Sequence, residues 1–344
     1  MDTRRRDPVY TWPVATVLLC LAAFGLTSSW PRRGELWDLG SFLLAGYSAN
    51  RGIDPYSRHY LTEFSTRYEV SLTVPNLNPP ISVPIFQCFS ALPPNLLLYL
   101  CFCISLVILT SVAVILVRTG PGHKFLRMLW SLASTGLWMT LALGQTYAPL
   151  VALSALAHQS EKQKTLSGIS IGIVSSVKPN FLVWPGLLLL AGHVRVAVTA
   201  VTTFVLLWGA ALLALGHHVY VSWFEAVGAY HSPAATNMSL VAWLGEVLPT
   251  PVVLVVAISY TLAISFASWK WRPSYRAVTD VALCSSLLLA PVAWVSYAEP
   301  DHASPWDWPL WWSRSSMDRP PPPRRSLTIA TLAHGHGGHG AAHG

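Results

Sequence analysis

Four apolar runs in this chain are close to the length that crosses a bilayer. They are Asn95–Val117, Val196–Gly216, Pro251–Ser268 and Ala277–Tyr297. About 20 apolar residues span the hydrocarbon as a helix. Inside hydrocarbon, backbone N–H and C=O groups must bond within their own segment, so such runs are committed to helix. Pro13–Trp30 is a fifth run, preceded by Arg4-Arg5-Arg6. With no clear small-residue cleavage site before Trp30, it reads as an uncleaved anchor. Only 11% of the 344 residues are charged, against about 25% in soluble domains. The expected fold is therefore an all-α polytopic membrane protein. The formal charge of +7 is spread over short turns between spans, as the positive-inside rule requires, which excludes a nucleic-acid partner.

Shorter apolar pieces leave two threadings open. Residues 80–92 end at Pro93-Pro94. Tyr147–Ala157 follows Gly144-Gln145, and residues 166–177 and 181–191 flank Lys178-Pro179-Asn180. In one threading residues 80–93 do not cross, and Gly144-Gln145 and Lys178-Pro179 are outward turns. Arg118, Lys124, Arg127, Lys162, Lys164, Arg195, Lys270, Arg272 and Arg276 then all face inward. In the other, 80–93 crosses and 166–191 is one kinked span, which puts the first five of those charges outside. The charge rule favours the first; the short lengths of 166–177 and 181–191 favour the second. The first is preferred. It gives a bundle of about 8–10 transmembrane or partial-span helices, with residues 31–79 and 217–249 outward.

The outward segment 31–79 holds Glu35, Asp38, Asp54, Glu63 and Glu69, five of the 15 acids. Within it, Gly34–Ser57 contains a helical pattern. Leu36, Trp37, Leu39, Phe42, Leu43 and Tyr47 form an apolar surface suited to lie on the bilayer. Asp38, Ser41, Ala45 and Ser48 recur along a small, polar side with room for a substrate. Gly46 and Gly52 weaken the helix, and Gly52-Ile53-Asp54-Pro55-Tyr56 reads as its closing turn. Asp38 is either a helix N-cap or a general base for a hydroxyl within hydrogen-bond reach.

Other chemistry-bearing residues also have two readings each. Lys178 inside an apolar stretch either lines a wet cavity, which the broken backbone at Pro179 would suit, or snorkels to the interface. Gln145 serves a substrate or bonds helix to helix. Asn78-Pro79-Pro80 positions the loop under Asp38 or only separates two helices. His217, His218 and His231 meet a phosphate or are solvated. Walker, GxGxxG, nucleophile-elbow and HExxH motifs do not occur. The five cysteines sit in apolar segments, without disulfide or zinc spacing. The Gly-spaced histidines of 334–344 make a poor metal site.

Taken in order, these pieces resemble glycosyltransferase family 87, the polyprenyl-phosphate-mannose-dependent α-mannosyltransferases of the GT-C class. The pieces are Asp38; Ala49 to Tyr56; Asn78-Pro79-Pro80; Leu92-Pro93; Gly144-Gln145; Lys178-Pro179; Asn237 and Ser239; and Pro291-Val292-Ala293-Trp294. The resemblance runs from about residue 13 to 297. It implies a multi-span fold with its site at the outer surface of the plasma (inner) membrane. It also implies a lipid-linked sugar donor, transfer with inversion, and Asp38 as base. Lys178 and Gln145 would serve donor phosphate or sugar, and Asn78, Asp54, Tyr56 and Asn237 would line the substrate site. Neither metal nor cofactor is expected, because a lipid phosphate leaves rather than a nucleotide diphosphate. The expected partners are a polyprenyl-phosphate sugar, a glycolipid or glycan acceptor, and membrane lipids.

The family tends to place a histidine near a tyrosine after P-x-x-W, and then further spans. Here Trp294 is followed by Val295-Ser296-Tyr297, and residues 298–344 turn Pro/Trp/Arg-rich and then Gly/His-rich. The domain reading is thus a 1–297 transferase unit and a disordered 298–344 tail, out of register through a frameshift or early stop. A transporter or flippase is the second reading, because broken, Pro- and Lys-bearing spans also occur there; matched halves are not evident. An inactive remnant is the third.

Overall fold

The computed structural model describes residues 11–28, 30, 38–57, 59–68, 76–119, parts of 125–141, 147–229, 244–245 and 247–288. Among these residues every regular element is helical, and the protein is an all-α membrane protein. Three helices are long and apolar enough to cross a membrane: Pro94–Ile115, Val194–Leu215 and Thr250–Trp271. The Pro/Trp/Arg- and Gly/His-rich tail lies outside the described residues.

The chain begins with α1 (Thr11–Ser28), α2 (Asp38–Ala49), α3 (His59–Tyr68), α4 (Ser82–Phe89) and α5 (Pro94–Thr119). Next come α6 (Tyr147–Gln159), α7 (Lys164–Val177), a 3-10 turn (Pro179–Leu182) and α8 (Val183–Leu190). The last described helices are α9 (Val194–Leu215), α10 (His217–Ala229), α11 (Thr250–Trp271) and α12 (Tyr275–Leu288). α12 covers the first half of the expected run 277–297; the remainder is outside the described residues.

Contacts decide the threading at Lys178. A Cβ placed on Gly168 would meet Thr199 and the Val196 carbonyl; one on Gly172 would meet Thr203 and the Ala200 carbonyl. One more turn along, Trp208 reaches Ser176. α7 and α9 therefore run in the same direction, with small residues letting the backbones close up. α8 must return between them. Consistently, Asn180 bonds Ser286, Trp184 bonds Thr279, and His193 bonds Pro273, so α8 is antiparallel to α12. Residues 166–191 are a hairpin with Lys178-Pro179 at its tip, not one kinked span. Each arm is short: 14 residues in α7 is about 21 Å of helix, below the ~30 Å of hydrocarbon. α4, with 8 residues, rises only about 12 Å and does not cross either.

The hairpin gathers the cations. The α6–α7 turn carries Lys162 and Lys164, α9 begins beside Arg195, and the α11–α12 turn carries Arg272 and ends at Arg276. These turns meet at one end of the bundle, hereafter the basic end. There Arg276 pairs with Glu161 at 3.5 Å and His158 with Asp280 at 3.1 Å. Arg195 donates to Thr165 at 3.4 Å. Beneath them the buried Tyr275 hydroxyl bonds Ser167 and donates to the Ala157 carbonyl. Lys178 is at the opposite end, and α6 begins there with Tyr147.

Two expectations change. α2 does not lie on the bilayer with one polar side open: every residue from Asp38 to Ser48 is buried. Leu39, Phe42, Leu43, Leu44 and Tyr47 pack with Phe64 of α3, Phe86 of α4, and Leu97 and Leu98 of α5. The small side that suggested a cavity is buried, while α4 packs on the face that carries Phe42, Gly46 and Asn50. Gly46 also admits a neighbour, since a Cβ there would lie 2.3 Å from the Phe86 backbone. The end of α2 is as read, with Gly52 at φ +69° in the closing turn. The second change is in 217–249, read as loop, where α10 forms. Its Val219 and Trp223 lie one helical turn apart and pack on Tyr56, with Ala226 and Val227 alongside.

Candidate active site

Asp38 is the first residue of α2, the helix that follows α1 among the described residues. Its position in the first helical turn suits a carboxylate, because unpaired N–H groups there carry partial positive charge. Ser41 Oγ donates to the Asp38 carbonyl at 2.8 Å, which fixes this first turn. Core packing around α2 then holds the residue in place with 6% of its surface exposed.

Lys178 comes to the same place from the middle of the chain. Its backbone N–H still bonds the Val174 carbonyl at 2.9 Å, and its carbonyl accepts from the Phe181 N–H at 2.9 Å. The residue thus joins α7 to the 3-10 turn, while Pro179 prevents the helix from continuing. The field of the Asp38 carboxylate acts on the Lys178 ammonium. The Lys178 Nζ also lies 4.6 Å from the centre of the Tyr147 ring, a cation–π contact. Acid, cation and aromatic face therefore converge from α2, the hairpin tip and the start of α6. Sequence reading missed Tyr147. Its only signal was its place two residues after Gln145, itself outside the described residues.

Aromatic side chains hold the hairpin tip. Trp208 of α9 donates from Nε1 to the Ser176 carbonyl at 3.0 Å, satisfying a carbonyl that the helix end leaves open. Tyr220 of α10 donates to the Trp208 carbonyl at 2.9 Å. Trp223 packs edge-on to Trp208, with ring centres 5.7 Å apart. Its own Nε1 donates to the Leu77 carbonyl at 3.1 Å. Asn180 Nδ2 donates to the Ser286 carbonyl at 2.8 Å, which ties the C-terminal part of α12 to the same tip.

Asp54, Tyr56 and Asn78 form one connected loop structure. Asp54 Oδ1 accepts the Tyr56 N–H at 3.0 Å, the Asx turn expected of an Asp-Pro sequence. The Tyr56 hydroxyl donates to the Asn78 carbonyl at 2.7 Å. Burial, and then the Asp54 carboxylate, push the Tyr56 pKa well above its usual value, so this hydroxyl stays protonated and remains a donor. The Asn78 N–H and Nδ2 both donate to Asn76 Oδ1, at 3.0 and 3.2 Å. These groups are used in bonds that shape the loop, and through Trp223 and Trp208 the loop is braced against the Lys178 tip. Asn237 and Pro291–Trp294, like Gln145, are outside the described residues. Among the described residues no cluster of His, Cys, Asp or Glu could hold a metal ion.

The sequence model of Glycosyltransferase family 87 matches residues 76–295, more than half of the chain. The chain belongs to glycosyltransferase family 87. No curated protein and no solved structure matches it. With its apolar spanning helices, this family 87 protein is a membrane glycosyltransferase. The matched stretch contains Lys178 and Asn78, and also Gln145 and Asn237. Asp38, Asp54 and Tyr56 precede it, so the placement of Asp38 beside Lys178 rests on the fold.

Proposed function

We propose that the protein transfers a sugar, mannose being the expected one, from a polyprenyl-phosphate donor to a hydroxyl of a glycolipid or glycan acceptor. The observation that carries this reading is the convergence of Asp38 and Lys178 at the end of the bundle opposite the basic turns. By the positive-inside rule the basic end faces the cytoplasm, so the reacting end faces outward from the plasma membrane.

In the proposed step the acceptor oxygen attacks the anomeric carbon. Its proton passes to the Asp38 carboxylate as the new C–O bond forms. The bond between the anomeric carbon and the phosphate oxygen breaks, and the electron pair leaves with polyprenyl phosphate. One displacement inverts the anomeric centre. Lys178 supplies positive charge where the leaving phosphate gains negative charge. Tyr147 holds the ammonium through its ring face. Tyr56, Asp54 and Asn78 shape the loop that bears on this end of the bundle; direct contact of Asn78, Gln145 or Asn237 with the sugar is part of the proposal. No step calls for a metal or cofactor.

The test uses the full chain in membranes with a radiolabelled polyprenyl-phosphate sugar and an acceptor extract. The wild type should form labelled product with inverted configuration. Asp38→Asn, shown to be folded at the assay temperature, should not. Equal transfer by the two proteins would remove Asp38 from the mechanism. Movement of the lipid-linked sugar across proteoliposomes without covalent transfer would favour the flippase reading.

A further inference from the structure

α2 ends at a second charged feature, distinct from the Asp38–Lys178 pair. The buried Tyr47 ring carries two guanidinium groups: Arg51 Cζ is 3.5 Å from its centre and Arg67 Cζ is 5.6 Å. Arg67 Nη1 also donates to the Tyr47 hydroxyl at 3.1 Å, and its Cζ is 5.7 Å from the Tyr68 ring centre. Each arginine alone has a local reason, since a cation suits the C-terminal end of a helix: Arg51 follows α2 and Arg67 lies in the last turn of α3. That reason does not explain two like charges on one ring. Among the described residues no carboxylate lies within ion-pair distance of either arginine; Glu63 is the acid whose field reaches Arg67.

Arg67 and Tyr68 also line a cavity of about 370 Å³ whose other wall is the α4–α5 turn, with Leu92, Pro93, Pro94 and Asn95. The cavity therefore has a guanidinium on one wall, and an amide with apolar carbon on the other. A guanidinium held by an aromatic hydroxyl keeps further N–H donors in a fork that matches a phosphate. Apolar walls beside it suit the glycerol and first acyl carbons of a lipid. α2 separates this feature from Asp38 by roughly 18 Å of helix, too far for the phosphate beside Lys178 to be the same group.

We propose that Arg67, with Arg51 beside it, binds the phosphate of an anionic phospholipid headgroup in this cavity. Binding needs no sugar donor and no Asp38, so its test is independent of the transfer reading.

The full chain is placed in phosphatidylcholine vesicles with a trace of photoactivatable phosphatidylglycerol or phosphatidylcholine, and labelled peptides are mapped. The phosphatidylglycerol probe should label peptides containing residues 64–68 and 91–95 about tenfold more than the phosphatidylcholine probe: both carry the phosphate, but choline cancels the headgroup's net charge and sets a cation beside the two guanidinium groups. Arg51→Gln with Arg67→Gln should abolish the excess, and the corresponding Lys variants should keep most of it. Labelling at the basic end should not change. Equal labelling by the two probes, or an excess indifferent to both substitutions, would overturn the proposal. Displacement by inorganic phosphate would overturn the lipid assignment in favour of free phosphate. Should the Gln variants fail to fold, the two-probe comparison in wild type still decides.

Discussion

The two ends of this bundle treat charge differently. At the basic end, Arg276 and Glu161 pair with half of each side chain exposed, and Asp280 is mostly in water. These pairs join helix ends across short turns, where solvent screens them. At the other end, Asp38 is buried and acts on Lys178 at the tip of a broken hairpin. Charges in water need no close partner. Charges taken from water persist only where other groups hold them, and their removal costs more. In the proposed function the first end orients the chain in the membrane, and the second holds the acid and the cation that the transfer uses.

The sharpest test of this contrast is Asp38→Asn at the buried end. General-base loss lowers kcat by about 10²–10⁴-fold; loss of the buried charge beside Lys178 also lowers the thermal midpoint, so turnover is read below the variant's own midpoint. Next is Lys178→Gln. Loss of a charge-assisted contact to phosphate should raise the KM for the lipid-linked donor by about tenfold or more, with a smaller change in acceptor KM. Steady-state kinetics with donor and acceptor varied separately reads both. A dominant effect on acceptor KM would assign Lys178 to the other substrate.

A third test asks whether the hairpin must be packed as observed. Gly172→Ala places a methyl 2.6 Å from the Ala200 carbonyl and should cost about 1–3 kcal/mol. Gly209→Ala, where a Cβ meets nothing within 4 Å, should not destabilise. Denaturation in mild detergent compares them; equal midpoints would contradict the parallel packing of α7 on α9. Trp208→Phe removes the donor to Ser176 and part of the indole that packs on Trp223, and should cost about 1–3 kcal/mol. The smallest effect is expected at the basic end: Glu161→Gln should change stability by less than about 1 kcal/mol and leave transfer intact.

How much was legible in the sequence follows the same division. The long spans were readable because hydrocarbon demands length and continuity: Asn95–Val117 appears as Pro94–Thr119 and Val196–Gly216 as Val194–Leu215. The reversal at Lys178 was one of two threadings, because charge and length pointed opposite ways. Gly168 and Gly172 decide it by letting α9 come close; their spacing marks a packing face but not which helix fills it. α2 was placed but misread in its surroundings. Its polar, small side resembles an open face, and only the folded structure shows that it is buried. α10 was taken for loop because His217, His218 and Glu225 dilute its short apolar stripe. The nearness of Asp38 to Lys178 was signalled only by the family resemblance, which assigns both to one site; no local pattern pairs them, and Tyr147 had less.

A double-substitution cycle of Asp38→Asn and Lys178→Gln, read as kcat/KM for sugar transfer, bears most directly on whether these residues form one site. Groups acting together do not contribute additively. The double variant should therefore lose little more activity than the worse single variant. Losses that multiply, as for two independent residues, would contradict a shared site.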